Sequence, residues 1–108
     1  MTAKSFVELA GFKIICMPDP ERNISGAYVG DLLSWVMGRA EADNVWITIM
    51  SNTNIVAVAT LAGVGCILLS EGVTLDEEVV KLASDKGINV FSTELASYDA
   101  AIKVSGLI

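Results

Sequence analysis

The stretch Val45–Gly72, VWITIMSNTNIVAVATLAGVGCILLSEG, decides the fold. Its longest run without a charged or strongly polar side chain, Ile55 to Leu69, covers about fifteen residues, whereas a helix crossing a bilayer needs roughly 20. The run is too short to span. Its character also changes along its length. Val45–Met50 is β-branched and aromatic, Ile55–Ala62 is rich in alanine, and Cys66–Leu69 is β-like again. The breaks fall at Ser51-Asn52-Thr53-Asn54, which supplies helix N-capping chemistry, and at Gly63-Val64-Gly65, which supplies C-capping chemistry. The stretch therefore reads as strand, helix, strand. Because both strands are apolar throughout rather than alternating, they predict burial on both faces, as in a parallel sheet covered by helices.

Working outward, strand candidates near Val45, Cys66 and Ile88 recur at nearly equal spacing with helical patterns between them. This predicts a small α/β layered domain, doubly wound or related, over residues 1–108, with a mostly parallel sheet of about four to five strands flanked by helices. Thr2 caps a first helix whose apolar side holds Phe6, Val7, Leu9 and Ala10, and Gly11 ends it. Phe12–Met17 reads as a strand, and the proline-rich loop from Pro18 leads to a short extended piece at Asn23–Ser25. From Gly30, the spacing of Val29, Leu32, Leu33, Val36 and Ala40 predicts an amphipathic helix. Thr74 and Glu77 have capping-box spacing for a helix closed by Lys86-Gly87, and Ile88–Phe91 is a last strand. Ser92-Thr93-Glu94 then starts a final helix with Leu95, Tyr98 and Ile102 on one stripe.

Composition narrows the function. Lys plus Arg is 7 against 13 Asp plus Glu, a net charge of −6, with no clustered basic residues, so neither nucleic acid nor an anionic membrane surface is an expected partner. There is no histidine, which removes the commonest general base and metal ligand near neutral pH. Cys16 and Cys66 lie in apolar surroundings and read as buried small hydrophobes, in keeping with a reducing, cytoplasmic setting. No glycine pattern of a dinucleotide-binding turn or of a phosphate-binding loop is present. The expectation is a chain without a catalytic constellation, cofactor or metal.

The candidate ligand residues are those at the carboxyl ends of the expected strands, where helix N-termini offer free N–H groups. They are Ser51, Asn52, Thr53 and Asn54; Ser70, Glu71 and Gly72; and Ser92 and Thr93. Together they form either one polar crevice for a phosphate, carboxylate or neutral polar ligand, or no more than helix caps and turns. The Asn54–Ala62 helix is apolar nearly all round, so something besides the sheet must cover it. Either a neighbouring helix of the same chain does so, or a second subunit does. In the second case Ile55, Val58, Ala59 and Ala62 belong to a homodimer seam. Trp35 is either core rim or an exposed aromatic contributing to that surface.

Three runs, Ala27–Met37, Trp46–Ile49 with Asn54–Ala59, and Ser92–Tyr98, resemble the DRTGG domain family. Within the family, the chain is similar to the short stand-alone members encoded near iron-only hydrogenase genes. The resemblance implies a fold like the N-terminal domain of HPr kinase, and a regulatory or dimerising unit without catalytic activity. It also implies a possible protein partner in hydrogenase or redox metabolism. The alternative it leaves open is a sensor of a nucleotide or other anionic metabolite at the strand ends. The family's Gly-Asp-Arg-type turn corresponds to Ser51–Asn54 here, without its Asp and Arg, and its Thr-Gly-Gly-type turn to Ser70-Glu71-Gly72, of which only Gly72 is kept.

Overall fold

In the computed structural model, which describes all residues from Met1 to Ile108, the apolar stretch folds as its composition predicts. The elements in order are α1 (Ala3–Ala10), β1 (Lys13–Cys16), β2 (Ala27–Val29), α2 (Leu33–Arg39), β3 (Val45–Thr48), α3 (Asn54–Ala62), β4 (Cys66–Leu69), α4 (Glu77–Asp85), β5 (Val90–Ser92) and α5 (Ser97–Ser105). Every residue of β3 and β4 is buried. The two strands pair in parallel from Val45↔Cys66 to Thr48↔Leu69. Gly63 ends α3 at φ 72°, the left-handed conformation that a glycine adopts without steric cost. No helix is long and apolar enough to cross a membrane.

The five-stranded sheet has the order β1-β5-β4-β3-β2, with β1 antiparallel to β5 and the other neighbours parallel. Side-chain alternation gives two cores. Val45, Ile47, Cys66, Leu68 and Phe91 pack with Phe6, Val7 and Ala10 of α1 and with Ala100 and Val104 of α5. Trp46, Ile67, Leu69 and Val90 pack on the other side with Val36, the buried side of α3, and Val79 and Ala83 of α4. The fold is thus a three-layer α/β/α domain. It is not doubly wound along its parallel strands: β2 to β5 lie in sequential order, so right-handed crossovers place α2, α3 and α4 on one face. Only after β5 does the chain leave for the opposite face, through α5.

Four sequence expectations are corrected. The strand before α2 is Ala27–Val29; Asn23 makes only an isolated bridge to Thr2, because Ile24 is held by the N-terminal segment through its N–H to Met1 O. Val29 therefore belongs to an edge strand, and α2 begins at Leu33. The Thr74–Glu77 capping box does not form: Asp76 is the N-cap of α4 and no side chain caps it. The last helix starts at Ser97, and its Leu95–Tyr98–Ile102 stripe faces outward, with Ala100 and Val104 buried instead. Small side chains let α5 lie close on β2 and β3, and the large ones cannot occupy that face.

The cover of α3 comes from its own chain. Ile55, Val58 and Ala59 are core residues, Val58 being 5% exposed, because α2 and α4 flank α3 on the same sheet face. They cannot serve as a surface seam. Ala62 is half-buried against the same core, and the exposed apolar residue of α3 is Leu61. Trp35, 52% exposed, is an outward aromatic, with the Arg39 guanidinium 3.8 Å from its ring centroid.

Candidate functional site

β4 and β5 are neighbours whose following helices go to opposite faces, so their carboxyl ends are where a crevice is expected in an open α/β sheet. The structure joins Ser70–Gly72 and the segment after Ser92 there. Glu71 N–H donates to Leu95 O at 2.8 Å, and Gly72 N–H to Thr93 O at 3.0 Å. The buried Ser70 hydroxyl meets the Ser97 hydroxyl at 2.7 Å. Ser92 closes β5 rather than capping a helix, and Thr93 Oγ1 accepts from Leu95 N–H in a local turn that carries the chain to α5.

Glu71 and Gly72 have φ of 62° and 72° and form a tight turn closed by Val73 N–H to Ser70 O, 3.2 Å. Left-handed backbone at a glutamate costs about 1 kcal/mol. The side chain offsets it: Glu71 Oε2 accepts from Ser97 N–H at 2.8 Å, at the start of a helix whose N-cap residue, Ala96, has no side-chain oxygen to offer. The carboxylate thus occupies the place an anion would take at α5. Glu71→Ala, which keeps the strain and removes the cap, is expected to lower stability by about 1–2 kcal/mol. Glu71→Gly, which removes both, stays within about 1 kcal/mol of wild type. Urea denaturation of the two variants checks this order.

Ser51, Asn52, Thr53 and Asn54 are all exposed, and none bonds to the β4–β5 crevice. Asn52 Oδ1 accepts Asn54 N–H, an Asx turn opening α3. Thr53 lines a shallow groove between α3 and α4 with Val56, Leu61, Leu82 and Lys86. The expected single crevice is therefore divided in two. Asp31, just before α2, anchors the end of β3: its Oδ1 accepts Thr48 Oγ1–H at 2.8 Å and Ile49 N–H at 3.0 Å.

Ser92 and Thr93 also line a cavity of about 480 Å³ with Gly11, Phe12, Lys13, Glu94, Leu95 and Lys103. Lys13 is brought there by pairing directly with Ser92 across the β1–β5 ladder, and Lys103 by the return of α5. Glu94 reaches across Gly72: a Cβ at that glycine would fall 2.5 Å from Glu94 Oε2.

The DRTGG domain model matches residues 13–107. The chain belongs to the DRTGG domain family. Among solved structures, this DRTGG domain is similar to the regulatory region of Clostridium perfringens pyrophosphatase, a region of CBS and DRTGG domains complexed with the activator diadenosine tetraphosphate. The TM-score is 0.73 at 15% identity, over 95% of this chain and 45% of that one. The chain thus spans less than half of that region, and the likeness is one of fold. No curated protein matches the sequence. The Ser70-Glu71-Gly72 turn holds a glutamate at its first left-handed position, with its carboxylate turned onto α5.

No group of three or more Cys, Asp and Glu side chains comes together in a way that could hold a metal ion. Burial pushes the Cys66 thiol far up, and burial also raises Cys16, partly offset by a backbone hydrogen bond at Val90. Both are protonated at neutral pH, the state in which a thiol is a poor nucleophile.

Proposed function

We propose that this DRTGG domain is a non-catalytic regulatory and interaction module that works as a homodimer. The observation that carries the reading is an unprotected sheet edge with an apolar rim. β2 has an open outer side and no lysine, proline or bulge, whereas the opposite edge strand, β1, has a bulge between Ile14 and Cys16, Lys13 at its start and Pro18 just after it. Exposed large apolar side chains sit on the elements around β2. Val29 is on the strand itself, Leu32 and Trp35 follow it, and Tyr98 and Ile102 point outward from α5, which lies against β2. Two copies related by a twofold axis pair β2 with β2 antiparallel and cover both rims at once. A partner in hydrogenase or redox metabolism rests on the family resemblance alone.

Sedimentation velocity tests the dimer. The wild-type chain is expected to sediment as a dimer at micromolar concentration, and the Tyr98→Asp/Ile102→Asp double variant as a monomer with unchanged circular dichroism, since Tyr98 is 76% exposed and Ile102 also lies outside the core. A wild-type chain that stays monomeric throughout the concentration range removes the paired form. A second reading, a sensor of a small anionic metabolite, is supported by the cavity beside Ser92 and Thr93.

A further inference from the structure

We propose that the groove between α3 and α4 binds a medium-chain monocarboxylate, with the carboxylate at Lys86 and the alkyl chain lying toward Thr53. The site is separate from the β2 edge and from the cavity beside Ser92 and Thr93. α4 packs toward β1, and β2 is the opposite edge of the sheet, so the groove stays open whether or not β2 pairs with a second copy.

The groove exists because α3 is seated against α2 more than against α4. Residues one helical turn apart face each other across it: Val56, Ala57, Thr60 and Leu61 from α3, and Leu82 and Lys86 from α4 and its cap. Val56 is buried and forms the floor, whereas Leu61 is exposed and forms an outer wall. Thr60 has no free donor, because its hydroxyl donates to Val56 O at 2.8 Å. An apolar space of about 370 Å³ with one charged group at its end has the make-up of a small-ligand site.

Charge sets the class of ligand and its direction. α3 and α4 are both crossovers between parallel strands and run the same way, which puts Thr53 and Glu78 at one end and Leu61 and Lys86 at the other. Glu78 lines a hollow that continues the groove past Thr53 and Leu82. Asp85, the acid next to Lys86 in sequence, is paired with Lys81 at 2.8 Å, and Lys86 itself forms no ion pair. An anionic head group is therefore drawn to the Lys86 end and repelled from the Glu78 end. A single ammonium on a chain of net charge −6 suits one negative charge rather than two, which favours a carboxylate over a phosphate monoester. The helix sets the length. From Thr53 to Leu61 it rises about 12 Å, and with carbon–carbon bonds of about 1.5 Å an extended chain of roughly eight to ten carbons covers that distance.

The test is an amide-resolved NMR titration at constant ionic strength with hexanoate, octanoate, decanoate and dodecanoate, and with 1-octanol as the uncharged control. Saturable shifts are expected at Ala57, Leu61 and Leu82. Affinity is expected to rise about two- to fourfold per methylene up to decanoate, and by less than about twofold from there to dodecanoate, whose tail passes the end of the groove. Lys86→Gln, at an exposed position, is expected to lower octanoate affinity about threefold or more and to leave 1-octanol within about twofold of wild type. Leu61→Asp, which removes the wall and adds a like charge, is expected to lower octanoate affinity about tenfold or more with circular dichroism unchanged. Absence of saturable shifts, shifts centred on the exposed apolar rim of Val29, Tyr98 and Ile102, or octanoate affinity that either substitution leaves undiminished would overturn the site.

Discussion

Val58→Asp is expected to unfold this domain, whereas Leu61→Asp, three residues on along the same helix, is expected to leave it folded. Val58 is 5% exposed and packed among the apolar side chains of the core beneath α3, so an introduced carboxylate would be desolvated there. The expected cost is about 4 kcal/mol or more, a large share of the roughly 5–15 kcal/mol that holds a domain of this size together. Leu61 is 71% exposed, and its replacement is expected to change stability by no more than about 0.5 kcal/mol. Circular dichroism with urea denaturation of both variants reads the contrast. If Val58→Asp remains folded and merely alters sedimentation, α3 is a surface helix and the layer assignment is wrong.

The second large effect is expected at Gly65→Ala. A Cβ there would lie 2.8 Å from Asn23 O, 2.8 Å from Asp43 O and 2.6 Å from Ile24 Cδ1. Two of the three neighbours are backbone atoms, and both are held in place. Asp43 N–H donates to Gly63 O, Asp43 carboxylate oxygens accept from Arg22 Nε–H and from Asn23 Nδ2–H, and Arg22 Nη2–H donates to Gly63 O at 2.6 Å. The loop after β1 is thus fastened to the turn before β4, and it cannot move aside without giving up these bonds. The expected loss is about 2–3 kcal/mol, measured by chemical denaturation, with the native fold kept. Gly38→Ala, where a Cβ meets nothing within 4 Å, is the control and is expected to be neutral or slightly stabilising.

These two effects have different visibility in the sequence. That Gly63 ends α3 is legible, because a glycine after an apolar helical run has a local role. That Gly65 is the meeting point of three segments is not, because Asn23 and Asp43 reach it through the tertiary fold. The ligand crevice divides in the same way. Ser70-Glu71-Gly72 and Ser92-Thr93 were recognisable as strand ends, since the apolar runs stop there. Lys13 and Lys103 were not, because they stand at opposite ends of the chain and meet only when β1 pairs antiparallel with β5 and α5 returns over the sheet.

The helical stripes show why period alone misleads. Leu95, Tyr98 and Ile102 have helical spacing but face outward, because α5 begins at Ser97 and approaches β2 and β3 closely enough to admit only small side chains such as Ala100. Val29 fits the spacing of α2 yet lies in a strand, where pairing with Ile47 of β3 outweighs the local pattern. A three-residue edge strand carries too few residues for its period to be read.

From its residues alone, this chain determined that its apolar middle is strand, helix and strand in a parallel α/β sheet, since a continuous apolar strand is stable only when covered on both faces. Membership in the DRTGG family was legible in part of that stretch together with Ala27–Met37 and Ser92–Tyr98. Tertiary structure alone decided which face each helix covers, that α3 is buried by its own neighbours, and which distant charges share a cavity. Those outcomes depend on strand order and on the direction of each crossover, and no local spacing of residues encodes either one.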